Sequence, residues 1–249
     1  MNEIDYVSGL NACRDLLLNE TREIQKIYVQ QNKKNPLIGE IIRIGKSKQI
    51  QIQFVPFPKM EKLSCDEHHQ GVVLEVSRKK YKSVKEILDL ARQRGEPPLI
   101  LILDRVQDPR NLGAVLRSAL AAGVHGVVIP RQGAVSVNAT VARVAEGALE
   151  NLALARVPNI ISEINYLEQQ KVKVIATLPG TAHFYYEVDL KGPLAFVIGG
   201  EEEGIASEIL ERCHERVALP MQAGINSLNL SVVAGVILFE ALRQRRSVF

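Results

Sequence analysis

The spacing of hydrophobic side chains in the first 77 residues switches between the period of a helix and that of a strand. Leu10, Leu16 and Leu17 fall on one helical face, whereas residues 51–55 alternate polar and apolar side chains as a half-buried strand does. Asn35-Pro36 opens a second helix, because asparagine is a good N-cap and proline fits the first helical turn. Strands are predicted over residues 23–29, 51–55 and 72–76. These elements together predict a small α/β unit.

From residue 99 onward, strands and helices alternate regularly. Residues 99–104, Leu-Ile-Leu-Ile-Leu-Asp, form a continuous apolar run, which is typical of a strand buried on both faces. Strands are predicted over 99–104, 126–129, 152–157, 172–177, 194–198 and 217–219, and helices over 111–122, 138–149, 162–170 and 228–243. This alternation predicts an α/β domain with a parallel sheet covered on both sides, and ligands bind such sheets at the carboxyl ends of the strands.

A basic segment separates the two parts. Residues 78–82 read Arg-Lys-Lys-Tyr-Lys, and Ser83 with Glu86 three residues later forms a capping box that starts a helix ending near Gly95. We therefore divide the chain into residues 1–77, a linker and leading helix over 78–95, and a larger domain over 96–249.

Charge is distributed unevenly over these parts. Residues 1–95 carry 17 Lys and Arg against 12 Asp and Glu, whereas residues 96–249 carry 14 against 16. A basic first part indicates contact with a polyanion, and Lys33 and Lys34 are its candidate phosphate-binding residues.

Several classes of protein are disfavoured by composition. The three cysteines are scattered and lack the spacing of metal ligands, which fits a reducing cytoplasm (Cys13, Cys65 and Cys213). His68, His69 and His214 have no partner carboxylate or cysteine at ligand spacing, so we expect no metal site. No apolar run approaches the roughly 20 residues that span a bilayer, and the polar, acidic N-terminus is unlike a signal peptide. The first strand of the larger domain lacks a following Gly-x-Gly-x-x-Gly, which argues against a Rossmann oxidoreductase.

The first segment with candidate chemistry is residues 103–117, where a buried strand ends in a polar loop. We expect Asn111 to cap the helix that follows, and Arg117 to lie six residues further on. Arg105 and Arg110 flank the same strand end, and guanidinium groups match phosphate geometry, so these arginines are candidate phosphate ligands.

The second segment, residues 196–205, places glycines directly after a buried strand, where the backbone can approach a ligand closely. The consecutive carboxylates that follow would repel a nucleotide phosphate, so a cation, a ribose hydroxyl or a proton relay suits the loop better. Glu201, nearest the strand end, is the functional candidate. Glu202 and Glu203 match the acidic start of a helix.

The third segment, residues 219–231, combines a glycine-bearing loop with the start of an apolar helix. Leu219 and Leu228 can enclose a flat apolar ring, and Ser227 and Asn229 add polar groups. Ser227 as a helix N-cap and Leu228 as a core residue would explain those two positions without any function. That interpretation does not explain why an asparagine stands at position 229.

Taken together, these segments resemble the three motifs of the SpoU (TrmH-type) methyltransferases, which belong to the SPOUT class of RNA 2'-O-ribose methyltransferases. The matching residues are Asn111-x-Gly113-x-x-x-Arg117, the loop with Gly199, Glu201 and Gly204, and Leu219-Pro220-Met221 with Ser227-Leu228-Asn229-Leu230-Ser231. The first part, including His69-Gln70-Gly71, resembles the small ribosomal-protein-like RNA-binding domain of many members. The resemblance is strongest to members that methylate a guanosine ribose in 23S ribosomal RNA.

The resemblance implies a fold and an assembly that periodicity alone does not predict. In this class the C-terminal segment forms a deep trefoil knot that holds S-adenosylmethionine, and the enzyme is a homodimer packed partly through its last helix. Residues 1–77 would bind RNA and residues 96–249 would form the methyltransferase domain, in a cytoplasmic enzyme without metal or membrane partners.

The resemblance also assigns roles by position. The cofactor site would use Thr177, Leu178, Ile198, Gly199, Leu219, Pro220, Ser227 and Leu228. Catalytic roles would fall to Asn111, Arg117, Glu201, Ser227 and Asn229. Because arginine is protonated at neutral pH, we expect Arg117 to bind the adjacent phosphate and stabilise the 2'-oxygen rather than act as a base. A tRNA 2'-O-methyltransferase and a non-catalytic RNA-binding or assembly protein on the same fold are the alternatives.

Overall fold

The structure is a computed structural model that describes residues 4–64, 69–222 and 227–246. Its strands are β1 (Ile4–Ser8), β2 (Ile24–Gln30), β3 (Gln51–Val55), β4 (Val72–Ser77), β5 (Leu99–Asp104), β6 (Gly126–Pro130), β7 (Ala153–Val157), β8 (Lys173–Thr177), β9 (His183–Phe184), β10 (Leu194–Gly199) and β11 (Glu215–Ala218). Its helices are α1 (Leu10–Asn19), α2 (Pro36–Ser47), α3 (Phe57–Ser64), α4 (Val84–Arg94), α5 (Pro109–Ala121), α6 (Ala139–Val144), α7 (Ala148–Asn151), α8 (Ile160–Gln169), α9 (Ser207–Leu210) and α10 (Leu230–Arg245).

The chain folds into two compact units. One contains the described residues up to Lys80 together with Val137–Asn151, and the other contains Tyr81–Ser136 with the described residues from Leu152 onward. No helix in the described part of either unit has the length and apolar composition needed to cross a bilayer.

The first unit is built on a four-stranded mixed sheet in the order β1-β4-β2-β3, with β2 and β3 parallel and the other pairs antiparallel. Helix α3 packs on one face of this sheet, where Met60 meets Tyr28, Val55 and Val73. The sequence pattern did not predict β1 or α3. Strand β1 has only five residues, and α3 opens with Phe-Pro and mixes polar and apolar side chains.

The helix predicted over 138–149 is wrong in one respect: it is interrupted between α6 and α7. Glu146 and Gly147 adopt positive φ angles of 45° and 86° there. A side chain at position 147 would place its Cβ only 2.0 Å from Asp15 Oδ2, so glycine is required both for its backbone angle and for space.

An ion-pair cluster holds this interrupted segment in the first unit. The Arg22 guanidinium donates to both carboxylate oxygens of Glu150, at 2.9 and 2.8 Å, and to Asp5 at 2.9 Å. The side chains of Arg22 and Glu150 are each only 2% exposed. Removing one partner of such a pair leaves the other charge buried and unpaired, which lowers the free energy of unfolding by about 3–5 kcal/mol. The contact therefore holds Val137–Asn151 against the N-terminal sheet.

The second unit contains a seven-stranded sheet in the order β7-β6-β5-β10-β8-β11-β9, and all of its strand pairs are parallel. The prediction of a parallel sheet with helices on both sides is confirmed. Helices α4 and α8 pack against one face, and α5 and α10 pack against each other and contact the sheet as well. The order reverses at the centre: the chain proceeds from β5 to β6 and β7 on one side and then returns to the other. Ligand sites of open α/β sheets lie at such a reversal, outside the carboxyl ends of the strands.

Candidate active site

A cavity of about 520 Å³ lies at the carboxyl ends of β8, β10 and β11, within the second unit. Its wall is formed by Thr177, Leu178, Pro179, Ile198, Gly199, Gly200, Glu201, Glu202, Glu203, Gly204, Ile205, Leu219, Met221, Ser227, Leu228, Asn229, Leu230 and Val233. Three separate loops and the start of α10 therefore converge on one space. Its leucine, isoleucine and valine side chains make much of the wall apolar, and the loop backbones and carboxylates provide polar groups.

The structure brings the expected cofactor residues together at this cavity. Thr177, Leu178, Ile198, Gly199, Leu219, Ser227 and Leu228 all lie on its wall, whereas Pro220 is not among the described residues that form it. Several wall residues were not predicted from the sequence, among them Pro179, Met221 and Val233. Each of these lies within a few residues of a predicted one, so proximity along the chain was the available signal.

The glycines after β10 lie on the cavity wall and also allow the protein's own backbone to pack closely. A Cβ on Gly199 would lie 2.1 Å from the Gly204 carbonyl carbon, and one on Gly200 would lie 2.3 Å from the Arg105 carbonyl oxygen. Gly200 N donates to Asp104 O at 2.7 Å, and Ala206 N donates to the Asp104 carboxylate at 2.9 Å. The loop after β10 is thus folded tightly against the end of β5.

The three carboxylates after Gly200 do not begin a helix. Glu201, Glu202 and Glu203 are exposed and form a turn, and the next helix, α9, starts at Ser207. The expectation that Glu202 and Glu203 mark a helix N-terminus is therefore wrong. A glycine with a φ of 64°, Gly204, closes the turn back onto Gly200, which accepts a hydrogen bond from Gly204 N at 3.0 Å.

A chain of polar side chains connects the three sequence motifs. Asn111 Nδ2 donates to Glu201 Oε1, and Asn229 Nδ2 donates to Asn111 Oδ1 at 3.0 Å. Asn229 Oδ1 in turn accepts from Ser231 N at 2.9 Å and from Ser231 Oγ at 2.6 Å. Since the chain begins at a backbone donor and ends at a carboxylate, which accepts only, the orientation of both amides is determined.

These contacts correct two expectations about helix caps. Asp108, not Asn111, caps α5, because its carboxylate accepts from Arg110 N at 2.8 Å and Pro109 occupies the first helical position. Asn229, not Ser227, caps α10 through Ser231 N. The Asn111 side chain is therefore available to bond Glu201 and Asn229. Capping of α10 explains the presence of Asn229, which the sequence alone did not explain.

The candidate arginines lie in different environments. Arg105 adopts a φ of 57° and donates to Glu203, while its Nε lies 3.4 Å from Asp104 Oδ2. Burial alone would lower the pKa of Arg105, but the charges of Asp104 and Glu203 raise it above the ordinary value. Its charge is therefore largely satisfied within the protein.

Arg117 is exposed and does not line the larger cavity. Asn111, on the same helix, is linked to the wall of that cavity by its hydrogen bonds with Glu201 and Asn229. Six residues at 100° each turn Arg117 well away from the face of α5 that carries Asn111. Arg110 is exposed at the start of α5, and Lys33 and Lys34 are exposed in the first unit.

A smaller cavity of about 280 Å³ adjoins the polar chain. It is lined by Arg105, Gln107, Asp108, Asn111, Glu201, Glu202 and Glu203. Because Glu201 lies on the walls of both cavities, a ligand in one can approach a ligand in the other at this carboxylate.

The part of the chain that the structure describes contains no group of three or more histidine, cysteine, aspartate or glutamate side chains arranged to hold a metal ion. Cys65 and His68, which entered the sequence-based prediction, lie outside the described residues. Cys13 and Cys213 are free thiols whose pKa values are raised by burial, that of Cys213 to about 11.

Comparison with known proteins places this geometry in a family. The model described as the SpoU rRNA Methylase family matches residues 98–239, and the model described as RNA 2'-O ribose methyltransferase substrate binding matches residues 6–82. The 23S rRNA (guanosine-2'-O-)-methyltransferase RlmB of Photorhabdus laumondii is 37% identical over 247 residues, which cover 99% of this chain and 100% of the relative. YacO of Bacillus subtilis, named as a TrmH family tRNA/rRNA methyltransferase, is 35% identical over 244 residues, covering 98% and 97%.

A solved structure shares the fold. The crystal structure of the SpoU methyltransferase AviRb from Streptomyces viridochromogenes in complex with the cofactor AdoMet superposes with a TM-score of 0.83 at 24% identity, covering 97% of this chain and 90% of that chain. The two family models together match most of the chain, and the full-length relatives extend over nearly all of it. The chain therefore belongs to the SpoU family of RNA 2'-O-ribose methyltransferases.

Proposed function

We propose that this protein transfers a methyl group from S-adenosylmethionine to the ribose 2'-hydroxyl of a guanosine in 23S ribosomal RNA. The observation that carries the proposal is the hydrogen-bonded chain of Glu201, Asn111 and Asn229, which joins all three motifs beside a cavity of cofactor size. The guanosine substrate is supported by the full-length relative from Photorhabdus laumondii.

The larger cavity fits the cofactor in size and in chemistry. Its volume of about 520 Å³ lies within the range of roughly 300–1,000 Å³ that is usual for sites of this kind. Leu178, Leu219 and Leu228 provide apolar surface for an adenine ring, and backbone groups after β8, β10 and β11 can bind its polar edge. When bound there, S-adenosylmethionine supplies an activated methyl group on a positively charged sulfur.

The residues of the polar chain act on the acceptor. A ribose 2'-hydroxyl is a weak acid, so it must be oriented and its proton accepted as the new bond forms. Glu201 is a carboxylate with capacity to accept a hydrogen bond from that hydroxyl, and Asn111 holds Glu201 in place. Asn229 holds Asn111 in turn, so the two amides preorganise the carboxylate for the reaction. Ser227 lies on the same cavity wall and completes the set of polar side chains.

We assign Arg117 to the phosphate next to the target ribose, where a guanidinium also stabilises negative charge on the 2'-oxygen. Its exposed position away from the cavity wall favours a role in the site of a partner subunit. A homodimer packed through α10 suits the exposure of Val232 and Phe239, which are 47% and 48% exposed and lie two helical turns apart.

The remaining parts of the proposal follow the family. The C-terminal chain would pass through a trefoil knot around the cofactor site, residues 1–77 would bind RNA, residues 96–249 would form the methyltransferase domain, and the enzyme would work in the cytoplasm without a metal. Arg110, Lys33 and Lys34 would bind RNA phosphates, and their exposure supports this assignment. Arg105 would complete the RNA-binding surface from its position on the wall of the smaller cavity.

The test is to incubate the purified protein with S-adenosylmethionine carrying a labelled methyl group and total RNA from a strain that lacks the protein. We expect label in 23S ribosomal RNA, and mapping should find it on one guanosine ribose. Label in transfer RNA instead would support the alternative substrate that the name of the Bacillus subtilis relative includes. Cofactor binding without transfer to any RNA would overturn the enzymatic proposal in favour of a non-catalytic RNA-binding protein.

A further inference from the structure

A third cavity of the second unit is strongly basic. It has a volume of about 600 Å³ and lies at the carboxyl ends of β6 and β7, next to the start of α4. Four of its lining residues are cationic: Lys82, Lys85, Arg131 and Arg156. We refer to it as the basic cavity.

The two arginines of the basic cavity are held side by side. Arg131 Nε donates to the Arg156 carbonyl at 3.4 Å, and Arg156 Nη2 donates to the Arg131 carbonyl at 3.1 Å. Within the described residues neither guanidinium forms an ion pair with a carboxylate, and the buried Nε of Arg156 has no hydrogen-bond partner there. Each side chain is thus anchored to the main chain of the other residue, and two positive charges without a carboxylate partner in the described chain, placed at one cavity, favour a bound anion.

The carboxylates that face the cavity neutralise it only in part, and Glu86 Oε1 lies 3.9 Å from Lys82 Nζ. Glu86 accepts from Ser83 N at 2.7 Å and from Ser83 Oγ at 2.9 Å, so one of its oxygens is already used by the cap of α4. Burial raises the pKa of Glu163, the other carboxylate of the lining. Four cations against two carboxylates leave the cavity with an excess of positive charge.

The position of the basic cavity relates it to the catalytic residues. Strands β7, β6 and β5 are parallel neighbours, and Asp104 ends β5 beside the Glu201 loop. Since neighbouring strands lie about 5 Å apart, the ends of β6 and β7 are displaced by roughly 5 and 10 Å along the same sheet edge. Tyr81 and Tyr166 also line the cavity and offer aromatic surface to a nucleobase.

We propose that the basic cavity binds phosphodiester groups of the RNA substrate beside the methylated nucleotide, with Arg131 and Arg156 as the principal ligands. This inference rests on the proposed function, because it assumes that the anion along this edge is the substrate RNA. Paired guanidinium groups suit phosphate better than lysine alone, since each presents a planar fork of N–H donors.

The test compares Arg131→Gln, Arg156→Gln and the double variant with the wild type in RNA binding at several salt concentrations. We expect weaker binding of RNA, about three- to tenfold for each single variant, and a salt slope that is smaller by about one for each arginine replaced. The affinity for S-adenosylmethionine should not change, because neither arginine lines the larger cavity. Arg212→Gln is the matched control, because Arg212 is an exposed arginine of the same unit that precedes β11 at the opposite sheet edge.

Two further measurements keep the outcomes separate. Lys85→Gln changes an exposed side chain of the same cavity and should weaken RNA binding in the same direction, with an unchanged melting temperature. If the double variant binds RNA with the same affinity and salt slope as the wild type, the inference is overturned. The proposed function is unaffected by that result as long as the wild type methylates RNA. Inorganic phosphate that raises the melting temperature of the wild type without competing with RNA would overturn it too. If the wild type methylates no RNA, the proposed function itself fails.

Discussion

At the scale of single residues, Asn111 links positions that are distant in sequence. Its side chain contacts Glu201, 90 residues away, and Asn229, 118 residues away. Because the carboxylate of Glu201 is held by a neutral amide and not by a cation, it keeps its capacity to accept a further hydrogen bond. A small polar residue at the start of α5 therefore connects the three sequence motifs.

Asn111→Ala tests the polar chain directly. We expect methyl transfer to fall by about 10²–10⁴-fold, because Glu201 is then without the group that orients it. Cofactor affinity in calorimetry should stay within about twofold, since Asn111 does not line the larger cavity. Asn165→Ala on α8 is the control for the removal of an amide at a site far from the chemistry. Full activity of Asn111→Ala would contradict the role assigned to the chain.

Arg117→Ala separates catalysis from cofactor binding. We expect turnover to be abolished while S-adenosylmethionine still binds, because Arg117 lies on an exposed part of α5 and not on the cavity wall. Calorimetry with the cofactor and a methylation assay with RNA measure the two properties. Loss of cofactor binding in this variant would show that the assignment to RNA phosphate is mistaken.

At the scale of elements, the loops after β5 and β10 are packed into each other. Gly200 lies against the Arg105 carbonyl, and Asp104 holds the loop through Ala206 N. The cavity wall thus depends on a close backbone contact that tolerates no side chain.

Gly200→Ala should therefore disrupt the site. The added Cβ would lie 2.3 Å from the Arg105 carbonyl oxygen, so the loop has to move away from β5. We expect a lower melting temperature and cofactor binding weakened by at least tenfold. Gly192→Ala is the matched control, because a Cβ there meets nothing within 4 Å. Equal cofactor affinity in both variants would show that the loop is more tolerant than its packing indicates.

Helix α10 illustrates a second element-level constraint. Its sequence is apolar almost all round: Ala234, Ile237, Leu238 and Ala241 are buried in the unit, and Val232 and Phe239 remain exposed. A helix of this kind has an apolar surface left over after packing in one subunit.

Phe239→Lys tests whether that surface is the dimer contact. We expect the variant to be monomeric in light scattering and to lose methyl transfer, because a charge is placed in an apolar interface and Arg117 no longer reaches a partner's site. Arg243→Gln, at another exposed position of α10, should leave the oligomeric state unchanged. A wild type that is monomeric would rule out the dimer, and a dimeric, active Phe239→Lys would rule out this contact.

At the scale of the whole molecule, the first unit is not continuous in sequence. Val137–Asn151 joins the N-terminal residues through the buried Arg22–Glu150 pair. Deletion of residues 1–80 would leave Glu150 without its principal partner, so point substitutions are the better way to test what the first unit binds.

Lys33→Gln with Lys34→Gln should weaken RNA binding, because both lysines are exposed and available to phosphates. We expect a smaller salt slope, an RNA affinity reduced by about three- to tenfold, and unchanged cofactor affinity. Arg43→Gln with Lys46→Gln removes two exposed charges from α2 of the same unit and is the control. Equal RNA affinity in the two double variants would contradict a specific role for Lys33 and Lys34.

Much of this protein was predictable from local sequence. The alternation of strands and helices from residue 99, the full burial of β5 and the capping box at Ser83 and Glu86 depend on periodicity and short-range hydrogen bonds, which the sequence records directly. Several residues of the cavity wall, such as Gly199, Ser227 and Leu228, were predicted through the family motifs, and strand ends in a parallel sheet converge at one edge.

Other features were decided only by tertiary structure. A sequence window contains more than one residue able to cap α10, and Asn229, which serves as the cap, also donates to Asn111, 118 residues away. The break at Gly147 depends on Asp15, more than a hundred residues away. Sequence by itself thus determined the local elements and the location of the candidate site. The hydrogen bonds within that site were decided by the tertiary structure, because they join residues that are far apart in the sequence and close in space.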